Sequence, residues 1–138
     1  LITAETLLQL PTKLRSEQET FDKTGGLHAA GLFDTDGNLL TLREDVGRHN
    51  AVDKALGRLM LDGDFPLDHR VLMVSGRASF EILQKALAGR VPVICAVSAP
   101  SSLAVEFAQE SGQTLVGFLR GDTFNVYSHP ERITGLSD

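Results

Sequence analysis

Residues 71–97 read VLMVSGRASFEILQKALAGRVPVICAV, and this stretch decides the fold. Two short, uninterrupted apolar runs, residues 71–74 and 91–97, flank a segment whose apolar side chains recur at helical spacing, at Ile82, Leu83 and Ala86. A strand, a helix and a second strand in this order predict a right-handed crossover with parallel strands. Because the strands are apolar throughout rather than alternating, helices are expected to cover the sheet on both faces.

The same succession of strands and helices extends outward from this unit. Further helices are predicted at residues 3–22 and 48–61 and from Pro100 onward, and further strands at residues 27–33, 38–43, 114–119 and 124–127. The resulting order is α-β-β-α-β-α-β-α-β-β. It predicts an α/β protein, a three-layer α/β/α sandwich with a mixed sheet.

Local signals add detail to this prediction. Pro11 is expected to divide the first helix into two pieces, because proline is favoured in the first turn of a helix. Residues 24–26 are expected to end that helix, and residues 34–37 to form a four-residue hairpin turn. Asp45 is a candidate N-cap for the helix at residues 48–61.

Length and composition exclude several classes of protein. The 138 residues correspond to one domain, and 42% apolar with 22% charged residues is ordinary globular composition. A net charge of −5 argues against bulk nucleic-acid binding, and the run at residues 91–97 is too short to span a membrane. The sequence opens on Leu1 in a polar, helix-like segment without an initiator Met, so we expect part of a longer protein and no signal peptide.

Cys95 is the one cysteine of the sequence. A single thiol excludes an intramolecular disulfide and a cysteine-rich zinc site, and it suits a reducing compartment. Its place in the middle of an apolar strand predicts a buried, chemically inert side chain.

A polar segment connects a predicted strand to the helix at residues 48–61. Nine of the twelve residues at 43–54 are polar or glycine, an unusual density beside a well-formed strand. His49 and Asp53 share a helix face, and Arg48 and Lys54 lie near the free N–H groups of the helix start, where phosphate can bind. A capped, solvated helix start with an Asp–His pair is the alternative interpretation.

Two turns carry small polar residues at the predicted carboxyl ends of parallel strands, where ligands bind in open α/β sheets. Ser75, Gly76, Arg77 and Ser79 follow one strand, and Ser98 and Ser101 follow the next. Serine hydroxyls, close backbone approach at glycine and a guanidinium would suit an anionic ligand. Ordinary turns with serine caps are the alternative, and because no nucleophile elbow is present, no catalytic serine is expected.

A later turn adds an aromatic ring and another arginine. It comprises residues 117–123, and the tail at residues 127–132 belongs to the same motif. Its candidate site residues are Phe118, Leu119, Arg120, Gly121, Asp122 and Thr123. An aromatic side chain with an arginine beside it can receive a base and a phosphate. A hairpin turn with an exposed arginine explains the same residues equally well.

Five motifs together make the chain resemble the FdhD/NarQ family, over essentially its whole length. They are TGGLHAA at residues 24–30, REDVGRHNAVDK at 43–54, VSGR at 74–77, VSAPSS at 97–102 and GFLR at 117–120. The twelve-residue motif is the most specific of the five. The family also resembles the cytidine-deaminase fold, whose strand and helix order agrees with the order predicted above.

The resemblance implies a sulfur-carrier protein, a sulfurtransferase that is required for active formate dehydrogenase. Members of the family take persulfide sulfur from a cysteine desulfurase and transfer it to the molybdenum bis(guanine dinucleotide) cofactor. The sulfur is carried on a Cys-x-x-Cys motif upstream of the first helix, and Cys95 does not match that motif. Residues 1–138 are therefore expected to be the family's carboxyl-terminal domain, without the sulfur-carrier segment and with no catalytic residue of its own.

The resemblance also assigns a cofactor site. Residues 118–123 would contact the molybdenum cofactor, together with the residues predicted at the same edge, namely Arg48, His49, Ser75, Gly76, Arg77, Ser98 and Ser101. GDP is expected to bind as a surrogate for one cofactor arm. A homodimer in the cytoplasm would suit the two arms, with neither nucleic acid nor membrane as a partner.

Two other functions are alternatives to this one. A non-catalytic guanine-nucleotide-binding or scaffold domain is the main alternative. A zinc deaminase needs His-x-Glu on the second helix and Cys-x-x-Cys at the start of the third. Those places hold residues 49–51 (HNA) and 75–79 (SGRAS), which leave at most one ligand, so neither deamination nor a metal site is expected.

Overall fold

The computed structural model describes residues 1–21, 28–64 and 67–136, apart from the side chains at 19–21. The elements in chain order are β1 (Ile2–Thr3), α1 (Ala4–Phe21), β2 (His28–Asp34), β3 (Leu39–Asp45), α2 (Arg48–Leu61), β4 (Arg70–Val74), α3 (Phe80–Ala88), β5 (Val93–Ala96), α4 (Ser102–Ser111), β6 (Thr114–Arg120), β7 (Thr123–Ser128), a 3₁₀ turn (Pro130–Arg132) and β8 (Ile133–Thr134). Apart from the short β1 and β8 and the 3₁₀ turn, this is the predicted order.

Six strands form one mixed sheet in the order β3-β2-β4-β5-β6-β7. The central strands β4, β5 and β6 are parallel, and β2, β3 and β7 join them through antiparallel pairs. β1 and β8 form a separate two-stranded parallel pair. The prediction of a mixed sheet with parallel strands on either side of α3 is confirmed.

Helices cover the sheet on both faces, as the apolar strands predicted. Along β4, Val71 and Met73 join the core beneath α1, and Leu72 and Val74 join the core beneath α2, α3 and α4. All four side chains are buried, because successive residues of a strand point to opposite faces. The three-layer α/β/α sandwich is therefore confirmed, while its likeness to cytidine deaminase stays a prediction.

α1 is one continuous helix with Pro11 inside it, so the prediction of two helical pieces is wrong. Proline has no N–H to donate to the carbonyl of Leu7, which costs about 3 kcal/mol in a helix interior. Leu7, Leu10 and Leu14 form a buried stripe that extends across the proline on one side of the helix. Burial of this stripe against the sheet offsets the lost hydrogen bond.

The hairpin between β2 and β3 turns at the predicted residues. Asp34 Oδ1 accepts hydrogen bonds from the backbone N–H groups of Asp36 (3.0 Å) and Asn38 (2.9 Å). Gly37 has φ of +88°, a conformation that glycine adopts without steric cost. The predicted break at residues 24–26 lies outside the described residues.

Asp45 is not the N-cap of α2, which corrects the prediction. Gly47 occupies that position. Asp45 ends β3, and its Oδ1 accepts a hydrogen bond from the Gly47 N–H at 2.9 Å. No helix in the described ranges combines the length and apolar composition that crossing a membrane requires.

Candidate functional site

Backbone hydrogen bonds join the segments at the carboxyl ends of β4, β5 and β6. The Gly76 carbonyl accepts from the Ser98 N–H at 3.4 Å, and the Ser98 carbonyl accepts from the Phe118 N–H at 3.2 Å. The Ser101 N–H donates to the Ala78 carbonyl at 3.0 Å. We call these segments, residues 75–79, 97–101 and 117–120, the carboxyl edge. Three of the predicted site motifs are therefore in direct contact there.

His49 attaches the start of α2 to the carboxyl edge. Its Nε2 lies 3.1 Å from the hydroxyl oxygen of Ser79, the N-cap residue of α3. Arg48 and His49, with Gly47 and Asn50, line a shallow depression of about 340 Å³ beside this contact. The polar segment at residues 43–54 thus lies next to the turn at residues 75–79, between β4 and α3.

Two glycines lie at the carboxyl edge, and one of them, Gly117, allows a close approach. A Cβ at Gly76 would lie 3.5 Å from Nδ1 of His28, which therefore covers this glycine. A Cβ at Gly117 would lie 2.8 Å from Cδ of Pro100 and 2.9 Å from Tyr127, closer than real Cβ atoms approach. Residues 97–101 can lie against β6 because position 117 has no side chain.

Phe118 and Arg120 form a stacked pair at the carboxyl edge. Phe118 has φ of +51° at an irregularity between β6 and β7. The guanidinium carbon of Arg120 lies 5.2 Å from the centroid of the half-exposed Phe118 ring, which is a cation–π contact. Leu119 is buried in the core beneath α1, so its side chain is not available to a ligand.

The remaining predicted residues of this turn lie at its tip. Gly121 has φ of +65° in the turn, and Asp122 and Thr123 are exposed beside it.

Two of the predicted serines have structural roles. Ser75 Oγ accepts from the Ala29 N–H at 2.9 Å, and Ser101 Oγ accepts from the Ala104 N–H at 3.1 Å as the N-cap of α4. The alternative interpretation, turn and cap serines, therefore describes both positions. Their contact with a ligand stays a prediction, since each hydroxyl still has a proton to donate.

Positive charge is available at the carboxyl edge from Arg77 and Arg120. Both are exposed, and neither forms a salt bridge with any described residue. Arg48 is less available. Glu81 beside it has a lowered pKa, chiefly through a hydrogen bond with its own backbone and also through Ser79 and the charges of His49 and Arg48. An ionised Glu81 competes with an anionic ligand for Arg48.

Cys95 is fully buried in the core beneath α1, as its strand position predicted. Burial raises the pKa of the thiol far above its usual range, because a thiolate is poorly solvated in an apolar interior. Among residues 1–21, 28–64 and 67–136, no group of three or more His, Cys, Asp or Glu side chains is arranged to hold a metal ion.

Pro100 is a neighbour of the site that the sequence pattern indicates only as the start of a helix. The signal for its contact with β6 is Gly117, a glycine inside a strand, which indicates close approach by other atoms. A more enclosed cavity of about 430 Å³ lies at the opposite edge of the sheet, away from every predicted site residue.

Comparison with known proteins adds evidence of relationship. The sequence model of the FdhD/NarQ family matches residues 1–134. Sulfur carrier protein FdhD of Streptomyces coelicolor is 60% identical over 132 residues, which are 96% of this chain and 47% of that protein. The protein of the same name from Mycobacterium tuberculosis is 58% identical, over 96% of this chain and 48% of that protein. The one from Sulfurisphaera tokodaii is 52% identical, over 96% of this chain and 52% of that protein.

A solved structure supports the same relationship. The crystal structure of a Desulfotalea psychrophila protein, named as a formate dehydrogenase accessory protein, superposes with a TM-score of 0.86 at 32% identity. The match covers 96% of this chain and 56% of the other. The chain spans about half the length of the curated relatives it matches.

Proposed function

Because the chain belongs to the FdhD/NarQ family, we propose that it serves in sulfur transfer to formate dehydrogenase, as the domain that binds the nucleotide arms of the molybdenum bis(guanine dinucleotide) cofactor. The name of its relatives, sulfur carrier protein, supports the first part. The second part rests on one observation. A hydrogen bond from the Phe118 N–H to the Ser98 carbonyl joins the stacked pair of half-exposed Phe118 and exposed Arg120 to the turns at residues 75–79 and 97–101.

The residues of the carboxyl edge suit a guanine nucleotide. Arg77 and Arg120 would bind the pyrophosphate, since planar guanidinium groups match phosphate oxygens well. Phe118 and the Arg120 plane offer faces on which a base can stack.

In this proposal the cofactor is a bound substrate that accepts sulfur. The domain therefore binds and orients it.

The thiol that carries the sulfur must lie elsewhere than at Cys95. Persulfide chemistry needs an accessible thiolate, and Cys95 is buried with a raised pKa. The family resemblance puts the carrier on a Cys-x-x-Cys motif upstream of α1, loaded by a cysteine desulfurase. Action as a homodimer in the cytoplasm belongs to the same proposal.

Calorimetry with GDP tests the nucleotide-binding part. Arg77→Ala and Arg120→Ala should each cost about 1.5–3 kcal/mol of affinity, the usual contribution of a hydrogen bond to a charged group. Binding should also weaken as salt rises, because screening reduces the attraction between opposite charges.

Arg58→Ala is the matched control, because Arg58 is exposed on α2 and pairs with Asp62 instead. Unchanged GDP affinity in both the Arg77 and Arg120 variants would remove the carboxyl edge from consideration.

A non-catalytic guanine-nucleotide-binding or scaffold domain is the second candidate, favoured by the burial of Cys95. The longer protein, supplied with a desulfurase and cysteine, separates the two. A persulfide on the upstream cysteines supports the sulfur carrier. GDP binding without any persulfide would support the alternative.

A further inference from the structure

A basic cavity lies at the edge opposite the carboxyl edge, where β4 and β5 begin. It has a volume of about 430 Å³, and its charged lining residues are Asp68, His69, Arg70, Arg90 and Arg132. A second depression of about 410 Å³ adjoins it, and Arg90 and Arg132 line both. These two arginines therefore stand between two connected hollows.

The third arginine of this cavity is already paired. Arg70 binds Asp64 through two hydrogen bonds, of 2.8 Å and 3.2 Å. Asp68 lies 3.9 Å from His69, and the two are oppositely charged only when the imidazole is protonated. Neither Arg90 nor Arg132 forms a salt bridge with any residue in the described part of the chain. Positive charge is thus left over at one place in a protein of net charge −5.

Arg132 is held in place by neutral partners. Its Nη1 donates to the Gly112 carbonyl at 2.6 Å and to Thr114 Oγ1 at 3.0 Å. Glu131, the adjacent carboxylate, pairs with His129 at 3.2 Å. The pKa of Glu131 is lowered, chiefly by a hydrogen bond with its own backbone and also by His129 and the charge of Arg132, so Glu131 offsets part of the Arg132 charge. The Arg132 guanidinium is oriented by neutral atoms and forms no salt bridge with a described residue, which suits a preformed anion site.

Arg90 occupies a position where glycine is favoured. The Arg90 N–H donates to the Leu87 carbonyl and the Val91 N–H to the Ala86 carbonyl, which is the Schellman pattern at the end of α3. In this pattern Arg90 is the left-handed residue, with φ of +65°. The strain accompanies an exposed guanidinium at the mouth of a cavity, as backbone strain often does at functional sites.

We infer that this cavity is a second anion-binding site, which takes a diphosphate group between Arg90 and Arg132. Two guanidinium groups without a salt bridge to any described residue match a compact ligand of charge −2 or more. The enclosed hollow on one side, with Val71, Pro92 and Val93 in its wall, has room for an apolar body attached to that group. Free diphosphate and the diphosphate of a larger molecule share this chemistry.

Calorimetry with inorganic pyrophosphate at fixed ionic strength tests the site. The Arg77→Ala/Arg120→Ala double variant is the background, so that the carboxyl edge does not contribute and the outcome is independent of the proposed function. In this background we expect saturable binding, which Arg90→Gly weakens about tenfold or more and Arg90→Lys largely retains. A nucleoside diphosphate that binds more tightly than pyrophosphate would indicate the larger ligand.

The melting temperature of the Arg90→Gly variant provides a second measurement, which also shows whether the variant folds. Glycine relieves the left-handed strain, so its melting temperature should rise by roughly 3–6 °C while affinity falls. Arg58→Gln, a charge loss on α2, should leave pyrophosphate binding unchanged. Absence of saturable binding, equal losses in the Arg58 and Arg90 variants, or binding of an aspartate-rich peptide in place of pyrophosphate would each overturn the inference.

Discussion

Asp45 organises the start of α2 from outside the helix. Its Oδ2 accepts a hydrogen bond from Lys54 Nζ at 2.6 Å, and its Oδ1 accepts from the Gly47 N–H. These bonds lower the pKa of Asp45 from 3.8 to about 2, and the hydrogen bond from Lys54 is the largest cause. Because the pKa is lower in the folded protein, the stabilisation is present above pH 3.8 and is lost as pH falls towards 2.

Lys54→Gln should move the pKa of Asp45 from about 2 back towards 3.8. The variant removes the strongest hydrogen bond and the nearest positive charge while the bond from Gly47 remains. An NMR titration of the Asp45 carboxyl carbon measures this shift, and Lys85→Gln, which affects the Asp53 pair, is the control. A titration midpoint that stays near 2 in the Lys54 variant would contradict the assignment of the cause.

Cys95→Ala should cost at most about 1–2 kcal/mol of unfolding free energy, the loss for a cavity the size of a thiol. Denaturant unfolding measures this loss. Sulfur transfer by the longer protein should stay nearly intact, because the buried thiol is not the carrier. Loss of transfer in a folded variant would put the chemistry at Cys95 and overturn the upstream assignment.

At the scale of elements, the contact between β6 and residues 97–101 depends on Gly117. Gly117→Ala should destabilise the protein by about 1–3 kcal/mol, because a Cβ would overlap the Pro100 ring and Tyr127. It should also weaken GDP binding by displacing Ser98 from Phe118. Denaturant unfolding and calorimetry on the same variant measure both effects.

Gly57→Ala is the matched control for this prediction. Gly57 lies within α2, and nothing lies within 4 Å of a Cβ built there. Alanine at this position should stabilise the protein by about 0.5–1 kcal/mol, because glycine loses more backbone entropy in a helix. Equal effects of the two substitutions would show that the close approach at Gly117 has no energetic consequence.

At the scale of the whole molecule, one sheet connects two separate cores. Leu10 of α1 lies in one core and Ile94 of β5 in the other. Leu10→Ala should cost about 2–5 kcal/mol and Ile94→Val about 0.5–1.5 kcal/mol of unfolding free energy. The double variant should show their sum to within about 0.5 kcal/mol, in a single transition, because the residues share no partners.

Chemical denaturation followed by both fluorescence and circular dichroism checks this prediction. Two separate transitions, or a large coupling between the two substitutions, would show that the layers unfold independently or that the sheet transmits strain between them.

The sequence by itself determined the order of the elements and the layers of the fold. The helical period of 3.6 residues and the short apolar runs are local properties, as are turn residues such as those at 34–37. Parallel strands necessarily bring their carboxyl ends to one edge, so the neighbourhood of Gly76, Ser98 and Ser101 was predictable as well.

Only the tertiary structure decided which local signals prevailed. Pro11 predicts a break in the first helix, but burial of the neighbouring leucines against the sheet stabilises a single continuous helix. Asp45 reads as a cap, but the path of β3 into α2 leaves that position to Gly47.

The tertiary structure also decided contacts between residues far apart in the chain. Pro100 and Tyr127 meet at Gly117, and Arg90 and Arg132 meet at one cavity, across 42 sequence positions in the second case (132 − 90). The spacing of residues in the sequence does not predict such contacts, because they form only when the strands have paired and the helices have packed onto them.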